Sequence, residues 1–235
     1  MDTLEIAVKQ KRNIYLKQER KEKAMDRIFL DTETTGLTPG QIGQLAVIYE
    51  KETGEVLAHN YFFEVGYVED GAARVTGRNK DWYSEASGGL KFADKASEIS
   101  QLLAGGTLIG HNLSFDEKFL SAEFWRAGVG FAPVNKMDTM EYFTNICKMP
   151  KKKYGRTSNA GNGKEYKYPK LEELADFLNI NKDAVKKFTE NLFNTDLVDF
   201  HDARFDTTIL FVAFHVYKDM IDGNNGWIDT FCHNG

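Results

Sequence analysis

The spacing of apolar residues changes partway along the chain, and this change restricts the fold more than any other feature. Residues 27–30, 44–50 and 56–65 are segments rich in the Val, Ile, Tyr and Phe that favour strands. Residues 51–54 read Lys-Glu-Thr-Gly, which is typical of a turn. We therefore expect the three segments to form an antiparallel meander.

Helical spacing follows these strands. One helix face is predicted where apolar residues recur at intervals of three and four: Phe92, Ala96, Ile99 and Leu103. Residues 107–110 form a short predicted strand. A helix is then expected over about 115–127, with Ser114 and Glu117 spaced as a capping box at its start.

The second half of the chain continues the alternation of strands and helices. Residues 134–138 are a candidate strand, residues 139–147 a helix, and another helix follows Pro169. The last long helix carries a clean apolar stripe: Ile209, Leu210, Ala213, Val216, Tyr217 and Met220. Three strands followed by alternating helices and strands predict one α/β domain with a mixed sheet. Residues 223–235 are expected to be loop-like.

The length and composition exclude several classes of protein. The chain has 235 residues, of which 42% are hydrophobic and 28% charged, the balance of a folded globular protein. Its longest strongly apolar run has six residues, which is too short to span a membrane as a helix. Cys147 and Cys232 form no CxxC pair, which excludes a disulfide framework and a cysteine zinc site. The N-terminal residues lack the apolar segment of a secretory signal, so we expect a cytoplasmic protein.

Basic residues are concentrated in one segment, although the whole chain has a net charge of −5. Residues 148–170 contain one acidic residue and glycine, serine and asparagine typical of a flexible loop. The eight basic residues of this segment are Lys148, Lys151, Lys152, Lys153, Arg156, Lys164, Lys167 and Lys170. A protein that is basic throughout is excluded, so a nucleic-acid site would have to be a local patch. The alternative is a solvated surface loop.

Two carboxylates, Asp31 and Glu33, lie at the end of the first apolar strand. Residues two apart in a strand point to the same face, so both carboxylates project together. Like charges held side by side repel, and a hard divalent cation such as Mg²⁺ relieves that repulsion. Taken alone, the pair fits ordinary surface charges equally well.

A second cluster, residues 111–116, reads His-Asn-Leu-Ser-Phe-Asp and opens a predicted helix. Asp116 falls in the first turn of that helix, where the helix dipole favours an acid. Taken alone, this cluster fits ordinary chemistry at the start of a helix.

A third cluster, residues 201–206, reads His-Asp-Ala-Arg-Phe-Asp and precedes the last helix. His201 and Asp206 would be about 140° apart on one helix, so they can share a site only if His201 lies in the preceding loop. Either Asp199 or Asp202 could serve as the N-cap that starts the helix after His201. The alternative is a structural histidine.

Together the three clusters supply four carboxylates and one histidine at the junctions of strands, loops and helices. Four carboxylates suit two hard cations, and the histidine suits a general base. These are the groups needed for in-line attack of water on a phosphodiester. The combination therefore predicts a metal-dependent nuclease.

The order of these residues resembles the three motifs of the DEDDh 3′→5′ exonucleases. This DnaQ-like family includes the proofreading epsilon subunit of DNA polymerase III, RNase T and oligoribonuclease. The motifs read Asp-Thr-Glu-Thr-Thr-Gly-Leu from Asp31, His-Asn-x-x-Phe-Asp ending at Asp116, and His-x-Ala-x-x-Asp from His201 to Asp206. The resemblance covers about residues 27–222 and implies an RNase H-like fold, with a mixed five-stranded sheet flanked by helices.

The resemblance also implies a role for each motif residue. Asp31, Glu33, Asp116 and Asp206 would bind two divalent cations, Mg²⁺ or Mn²⁺, and His201 would remove a proton from the attacking water. The implied activity is a 3′→5′ exonuclease that releases nucleoside 5′-monophosphates, with DNA as the preferred substrate. An exoribonuclease is the alternative. An inactive nucleic-acid-binding module is disfavoured because all five positions are filled.

Further residues are expected to contact the substrate, a nucleic-acid 3′ end in single-stranded form. Leu37 follows Asp31 by the spacing at which the family places a wedge against the terminal base, and a core leucine is the alternative. The other expected contacts are Thr34, Asn112, Lys151, Lys152, Lys153 and Arg156. We expect no membrane partner, and the sequence does not identify a protein partner.

The expected organisation has three parts. Residues 1–26 form a charged N-terminal extension, residues 27–222 an exonuclease domain with the basic insertion 148–170, and residues 223–235 a C-terminal tail. One departure from the family lies before the second motif. The family often has His-Gly-Ile at that point, whereas residues 75–78 here read Val-Thr-Gly-Arg.

Overall fold

The computed structural model describes residues 25–133, 135–151, 166–196, 198 and 200–233. The predictions made for the N-terminal extension up to residue 24, and for most of the basic insertion, lie outside the described residues. So do three of the expected substrate contacts and one candidate cap: Lys152, Lys153, Arg156 and Asp199.

A mixed five-stranded sheet with the order β3-β2-β1-β4-β5 forms the centre of the fold. β1 (Arg27–Thr34) pairs antiparallel with β2 (Ile42–Glu50), which pairs antiparallel with β3 (Val56–Phe62). β4 (Thr107–Gly110) runs parallel to β1, and β5 (Asn135–Asp138) runs parallel to β4. The predicted meander and mixed α/β sheet are confirmed, and the third strand ends three residues earlier than expected.

Nine helices lie among the described residues. They are α1 (Asp70–Thr76), α2 (Lys80–Ser87), α3 (Phe92–Leu103), α4 (Leu113–Ala127), α5 (Thr139–Cys147), α6 (Leu171–Phe177), α7 (Lys182–Phe193), α8 (Ala203–Asp222) and α9 (Gly226–Phe231). No helix in the described ranges combines the length and apolar character needed to cross a membrane.

Strand β1 is buried on both faces because helices cover the sheet on either side. Phe29 packs in a cluster with residues of α8, whereas Ile28 and Leu30 pack in a cluster with residues of α3 and α4. All three side chains are fully buried. Because strand residues alternate between faces, Asp31 and Glu33 continue the face of Phe29, which is the face that α8 covers.

The pairing of β1 with β2 fixes which side chains point to which face. Asp31 lies opposite Ala46 and Glu33 lies opposite Gln44. The register shifts between Glu33 and Thr34, an irregularity at the end of the strand that carries the carboxylates. Such irregularities re-aim side chains at the edge of a sheet and are frequent beside active sites.

Helix α8 contains the predicted apolar stripe and lies against β1 and β2. Fifteen of its twenty residues are buried, so the helix lies between the sheet on one side and α7 and α9 on the other. A helix of this length spans about 30 Å. It therefore runs from the carboxylate end of β1 along strands β1 and β2.

Four helices were not predicted, and the prediction of a loop-like tail was wrong. α1 has no buried residue and α2 has one, Tyr83, so burial marks both helices only weakly. The unpredicted α7 does show apolar residues at helical spacing, Val185, Phe188 and Leu192, which pack in or against the core. In the tail, α9 forms because Trp227 stacks on His215 of α8, with ring centroids 4.5 Å apart, and Phe231 is buried.

Helix α4 begins earlier than predicted, and the capping box was assigned to the wrong residue. The N-cap is Asn112, which adopts a left-handed conformation with φ of 68°. Leu113 is the first helical residue and is buried in the core. Ser114 therefore lies inside the first turn and does not cap it.

Candidate active site

The carboxylates of Asp31 and Glu33 lie at the end of β1, on the face covered by α8. Glu33 is buried and Asp31 is half-buried. Burial, and the charges of Asp116 and Asp206, raise the pKa of Asp31 well above its usual range. Burial and the charge of Asp206 also raise the pKa of Glu33, although the Arg78 guanidinium partly opposes them. The end of β1 thus holds acids that repel one another in the absence of a cation.

The third motif meets these acids from the start of α8. As predicted for one of the two candidate caps, Asp202 is the N-cap, and its carboxylate accepts a hydrogen bond of 3.1 Å from the Arg204 amide. His201 therefore lies in the loop before the helix, as the shared site requires. The His201 amide donates a 3.1 Å hydrogen bond to Oδ2 of Asp206, which is buried in the first turn.

Three of the predicted residues form a group that could hold a metal ion. Glu33, His201 and Asp206 each offer one ligand atom, and these atoms all lie within 4.8 Å of one another. The two carboxylate oxygens suit Mg²⁺ or Mn²⁺, whereas an imidazole nitrogen is a better ligand for ions such as Zn²⁺ than for Mg²⁺. His201 was predicted as a base and not as a ligand, and the geometry is compatible with either role.

Asp116 approaches the same end of β1 from the first turn of α4. It is buried, and its Oδ1 accepts a 2.7 Å hydrogen bond from the hydroxyl of Thr32. Burial raises the pKa of Asp116 to about 7, although the hydrogen bond from Thr32 lowers it in part. The structure therefore brings Asp116 to the strand that carries Asp31 and Glu33.

The residues expected to contact substrate occupy different environments. Leu37, in the loop after β1, is 84% exposed, so the alternative of a core leucine is wrong. Thr34 is buried, and its hydroxyl donates to the Gly36 carbonyl, which shapes this loop. Asn112 is half-buried, and its backbone N–H donates to the Asp138 carboxylate. Lys151 is exposed at the edge of the described residues.

Sequence reasoning missed the polar residues that hold the motif residues in place. Gln44 is fully buried in β2, and its side-chain amide donates to Asn60 and Asp202. Thr32, described above, orients Asp116. Gln44 is a polar residue between apolar neighbours in β2, and that contrast was the available sign, whereas Thr32 lies between the two acids of the first motif.

Comparison with known proteins places this geometry in context. Residues 28–183 match the family model described as exonuclease, of the RNase T type. The DNA polymerase III subunit epsilon of Buchnera aphidicola subsp. Schizaphis graminum (strain Sg) is 31% identical over 107 residues, which cover 41% of this chain and 44% of that protein.

Structures of E. coli exonuclease I share the fold. The apo form aligns with a TM-score of 0.58 at 17% identity, covering 86% of this chain and 44% of that chain. The complex with a dT13 oligonucleotide aligns with a TM-score of 0.57 at 17% identity, covering 83% of this chain and 41% of that one. The chain thus spans less than half the length of the relatives it matches. The alignments confirm the RNase H-like fold expected from the motifs.

Proposed function

The chain belongs to the DnaQ-like exonuclease family, and from that premise we propose that it is a metal-dependent 3′→5′ exonuclease that releases nucleoside 5′-monophosphates. The observation that carries this proposal is the convergence of three motifs at the end of β1. The candidate ligand atoms of Glu33, His201 and Asp206 lie within 4.8 Å of one another, and the charge of Asp116 raises the pKa of Asp31.

The acids fit two divalent cations in this proposal, Mg²⁺ or Mn²⁺. Four carboxylates, three of them with raised pKa, are costly to hold together unless positive charge compensates them. Glu33 and Asp206 would hold one ion, Asp31 would contact both, and Asp116 would hold the second. When bound, such a pair of ions stabilises the charge on the entering and leaving oxygens of a phosphodiester.

His201 is proposed to accept the proton of the attacking water. Its side chain is exposed in front of the first turn of α8. Its amide is tied to the Asp206 carboxylate, so the backbone is fixed while the ring faces the site. A positioned base of this kind is worth about 10²–10⁴ in rate.

Substrate recognition is proposed to use Leu37 and the basic insertion. Leu37 is an exposed apolar side chain on the loop that leaves the catalytic strand, where it can press against the terminal base. Lys151, Lys152, Lys153 and Arg156 would contact phosphates, and such contacts weaken as salt rises. Thr34 and Asn112, which border the acids, complete the proposed contacts.

DNA is the preferred substrate in this proposal, and RNA is the alternative. The relatives found are a DNA polymerase III subunit and exonuclease I bound to a deoxyoligonucleotide. Discrimination between the two would depend on a contact to the 2′-hydroxyl.

A labelled-end assay tests the proposal. The protein is incubated with Mn²⁺ and with 5′-labelled single- and double-stranded DNA and RNA oligonucleotides. A 3′→5′ exonuclease gives a ladder of shortening labelled fragments, and EDTA abolishes it. Immediate release of labelled mononucleotide would indicate the opposite direction, and robust cleavage in EDTA would exclude metal dependence.

A further inference from the structure

We propose that Arg78 is a positioning residue for the exonuclease reaction, because it ties the segment that carries His201 and Asp206 to the sheet. Arg78 lies between α1 and α2, where the sequence departs from the family. It matches none of the three motifs. The expected effect on kcat rests on the proposed function, whereas the expected effect on thermal stability rests only on the contacts of Arg78.

Three side chains from different parts of the fold form a closed set of hydrogen bonds. Arg78 donates through Nη2 to Oδ2 of Asp202 at 2.6 Å and through Nη1 to Oε1 of Gln44 at 2.5 Å. The side-chain amide of Gln44 donates in turn to Oδ1 of Asp202 at 2.9 Å. We call Gln44, Arg78, Asp202 and Arg204 the Asp202 cluster, since Arg204 also donates to this carboxylate at 2.7 Å.

The Asp202 cluster is withdrawn from solvent, so its pairing is costly to break. The side chains of Arg78 and Asp202 are only 11% and 5% exposed, and Gln44 is fully buried. Loss of Asp202 would leave two guanidinium groups, those of Arg78 and Arg204, without their shared carboxylate, and an uncompensated buried charge is strongly destabilising. The contacts therefore fix the relative position of β2 and the start of α8.

The Arg78 guanidinium is also held by aromatic rings. Its central carbon lies 4.5 Å from the Trp82 ring centroid and 5.7 Å from that of Phe62. Planar stacking together with a fork of donors is specific to arginine, and a lysine ammonium offers neither the planar group nor the fork. The hydrogen bonds and the aromatic contacts together therefore fix the orientation of the Arg78 guanidinium.

The backbone of His201 explains why such a support is needed. His201 has a φ of 64°, in the left-handed region that residues other than glycine adopt at a cost. Surrounding structure must maintain this conformation. On one side of His201, Phe200 packs against Phe205 at 5.0 Å and beneath the Lys182 ammonium at 5.4 Å. On the other side, Asp202 is held by Arg78.

The Asp202 cluster also carries more positive than negative charge. Two guanidinium groups face the single carboxylate of Asp202, beside Glu33 and Asp206. The surplus partly compensates the acids of the active site. Arg78 is mostly buried, so its effect on nucleic acid is expected through the motif residues rather than through direct contact.

Kinetics of variants at position 78 test the proposal on the full chain. Arg78→Gln is expected to lower kcat by on the order of 10²-fold, because small displacements of catalytic groups have effects of that size. KM for a single-stranded oligonucleotide should stay within about twofold, because only positioning is lost. Arg78→Lys should recover only part of kcat, since it lacks the fork and the stacking. Arg74→Gln is the matched control: Arg74 is exposed on α1 and bonds only to a backbone carbonyl among its described contacts.

A double-variant cycle provides a readout that does not require activity. Arg78→Lys, Asp202→Asn and their combination are compared by thermal unfolding, where the effects of two coupled residues should fall short of additive. The same cycle in kcat should also be non-additive. The cycle can be measured even if Arg78→Gln does not fold, because it uses Arg78→Lys, which keeps the positive charge beside Asp202.

Several results would overturn the proposal. A raised KM with unchanged kcat and a flatter salt dependence would show that Arg78 contacts nucleic acid. Lower thermal stability at unchanged kcat would show a purely structural role, and additive effects at positions 78 and 202 would show that the pair is not coupled. If the wild-type protein gives no ladder while the unfolding cycle remains non-additive, the proposed function fails and the positioning of Asp202 by Arg78 stands.

Discussion

The hydroxyl of Thr32 donates a 2.7 Å hydrogen bond to Oδ1 of Asp116. Thr32 lies between Asp31 and Glu33 in β1 and points to the opposite face of the strand. One strand therefore carries two of the acids and orients a third from α4. This relationship joins two motifs that are separated by 84 positions in the chain.

Replacement of Thr32 by valine tests this orientation. Thr32→Val keeps the shape of the side chain but removes the donor, and a hydrogen bond to a charged group contributes about 1.5–3 kcal/mol. We expect kcat to fall about tenfold to a hundredfold. Thr189→Val, which removes another buried hydroxyl on α7, serves as the control and should leave kcat unchanged. Equal kcat values for the two variants would show that the Thr32 hydroxyl has no role in orienting Asp116 for catalysis.

Asp31→Asn should abolish cleavage and stabilise the metal-free protein. The pKa of Asp31 in the folded state is raised by burial and by its acidic neighbours. A raised carboxyl pKa means that stability is present at low pH and is lost as pH rises from the unfolded pKa towards the folded one. Removal of the charge should therefore add on the order of 1–2 kcal/mol at neutral pH, a common gain at strained active sites. Thermal unfolding in EDTA measures it, with the exposed Asp229→Asn as control. An unchanged or lower melting temperature for Asp31→Asn alone would contradict the prediction.

Binding of Mn²⁺ should strengthen as pH rises through about 7. Burial holds the pKa of Asp116 at about 7 in the metal-free site, and a carboxyl must lose its proton to bind a cation. Below that pH, each decrease of one pH unit should weaken Mn²⁺ binding by up to about tenfold for each proton displaced. Isothermal titration calorimetry in buffers of different ionisation enthalpy counts the protons released. Binding that is independent of pH between 5 and 8 would show that Asp116 does not take part.

His201→Ala separates the two roles that the geometry permits. If His201 is the base, kcat should fall by about 10²–10⁴-fold while Mn²⁺ still binds. If the variant loses Mn²⁺ affinity, His201 belongs to the ligand set with Glu33 and Asp206. The exposed His233→Ala is the control for a histidine outside the motifs. Retention of nearly full kcat would exclude both roles.

Leu37→Ala should weaken substrate binding without a cost in stability. Leu37 is 84% exposed, so its truncation leaves no cavity in the core. Loss of an apolar contact with the terminal base should raise KM several-fold, since each buried methylene group is worth about 0.8 kcal/mol. Steady-state kinetics and thermal unfolding measure the two effects. Unchanged KM with a lower melting temperature would show that Leu37 serves the fold.

The strands and most helices could be predicted because burial leaves a period in the sequence. β1 is apolar on both faces, and α8 shows a stripe that matches its contact with the sheet. α1 could not be found this way, since none of its residues is buried. α9 depends on the stacking of Trp227 on His215, a contact that local sequence does not reveal.

The motif residues were identified, whereas the residues that support them were not. Acids and histidines at fixed spacing carry the chemistry and stand out in a sequence. Gln44 is an ordinary polar residue whose partner Asp202 lies 158 positions away. Arg78 is a single basic residue in a stretch that matches no motif. Their importance follows from three-dimensional contacts, which residue types alone do not determine.

The pairing of β1 with β2 has a consequence for how the protein acquires its activity. A slip of one residue along β1 would turn Asp31 and Glu33 into the apolar layer beneath α4, and would present Thr32 and Thr34 to α8. The slipped chain would retain strands and helices yet lack every strand-borne acid. Correct folding of β1 and assembly of the catalytic acids are therefore one event, and a misfolded population would appear in an assay as inactive molecules rather than as slow ones.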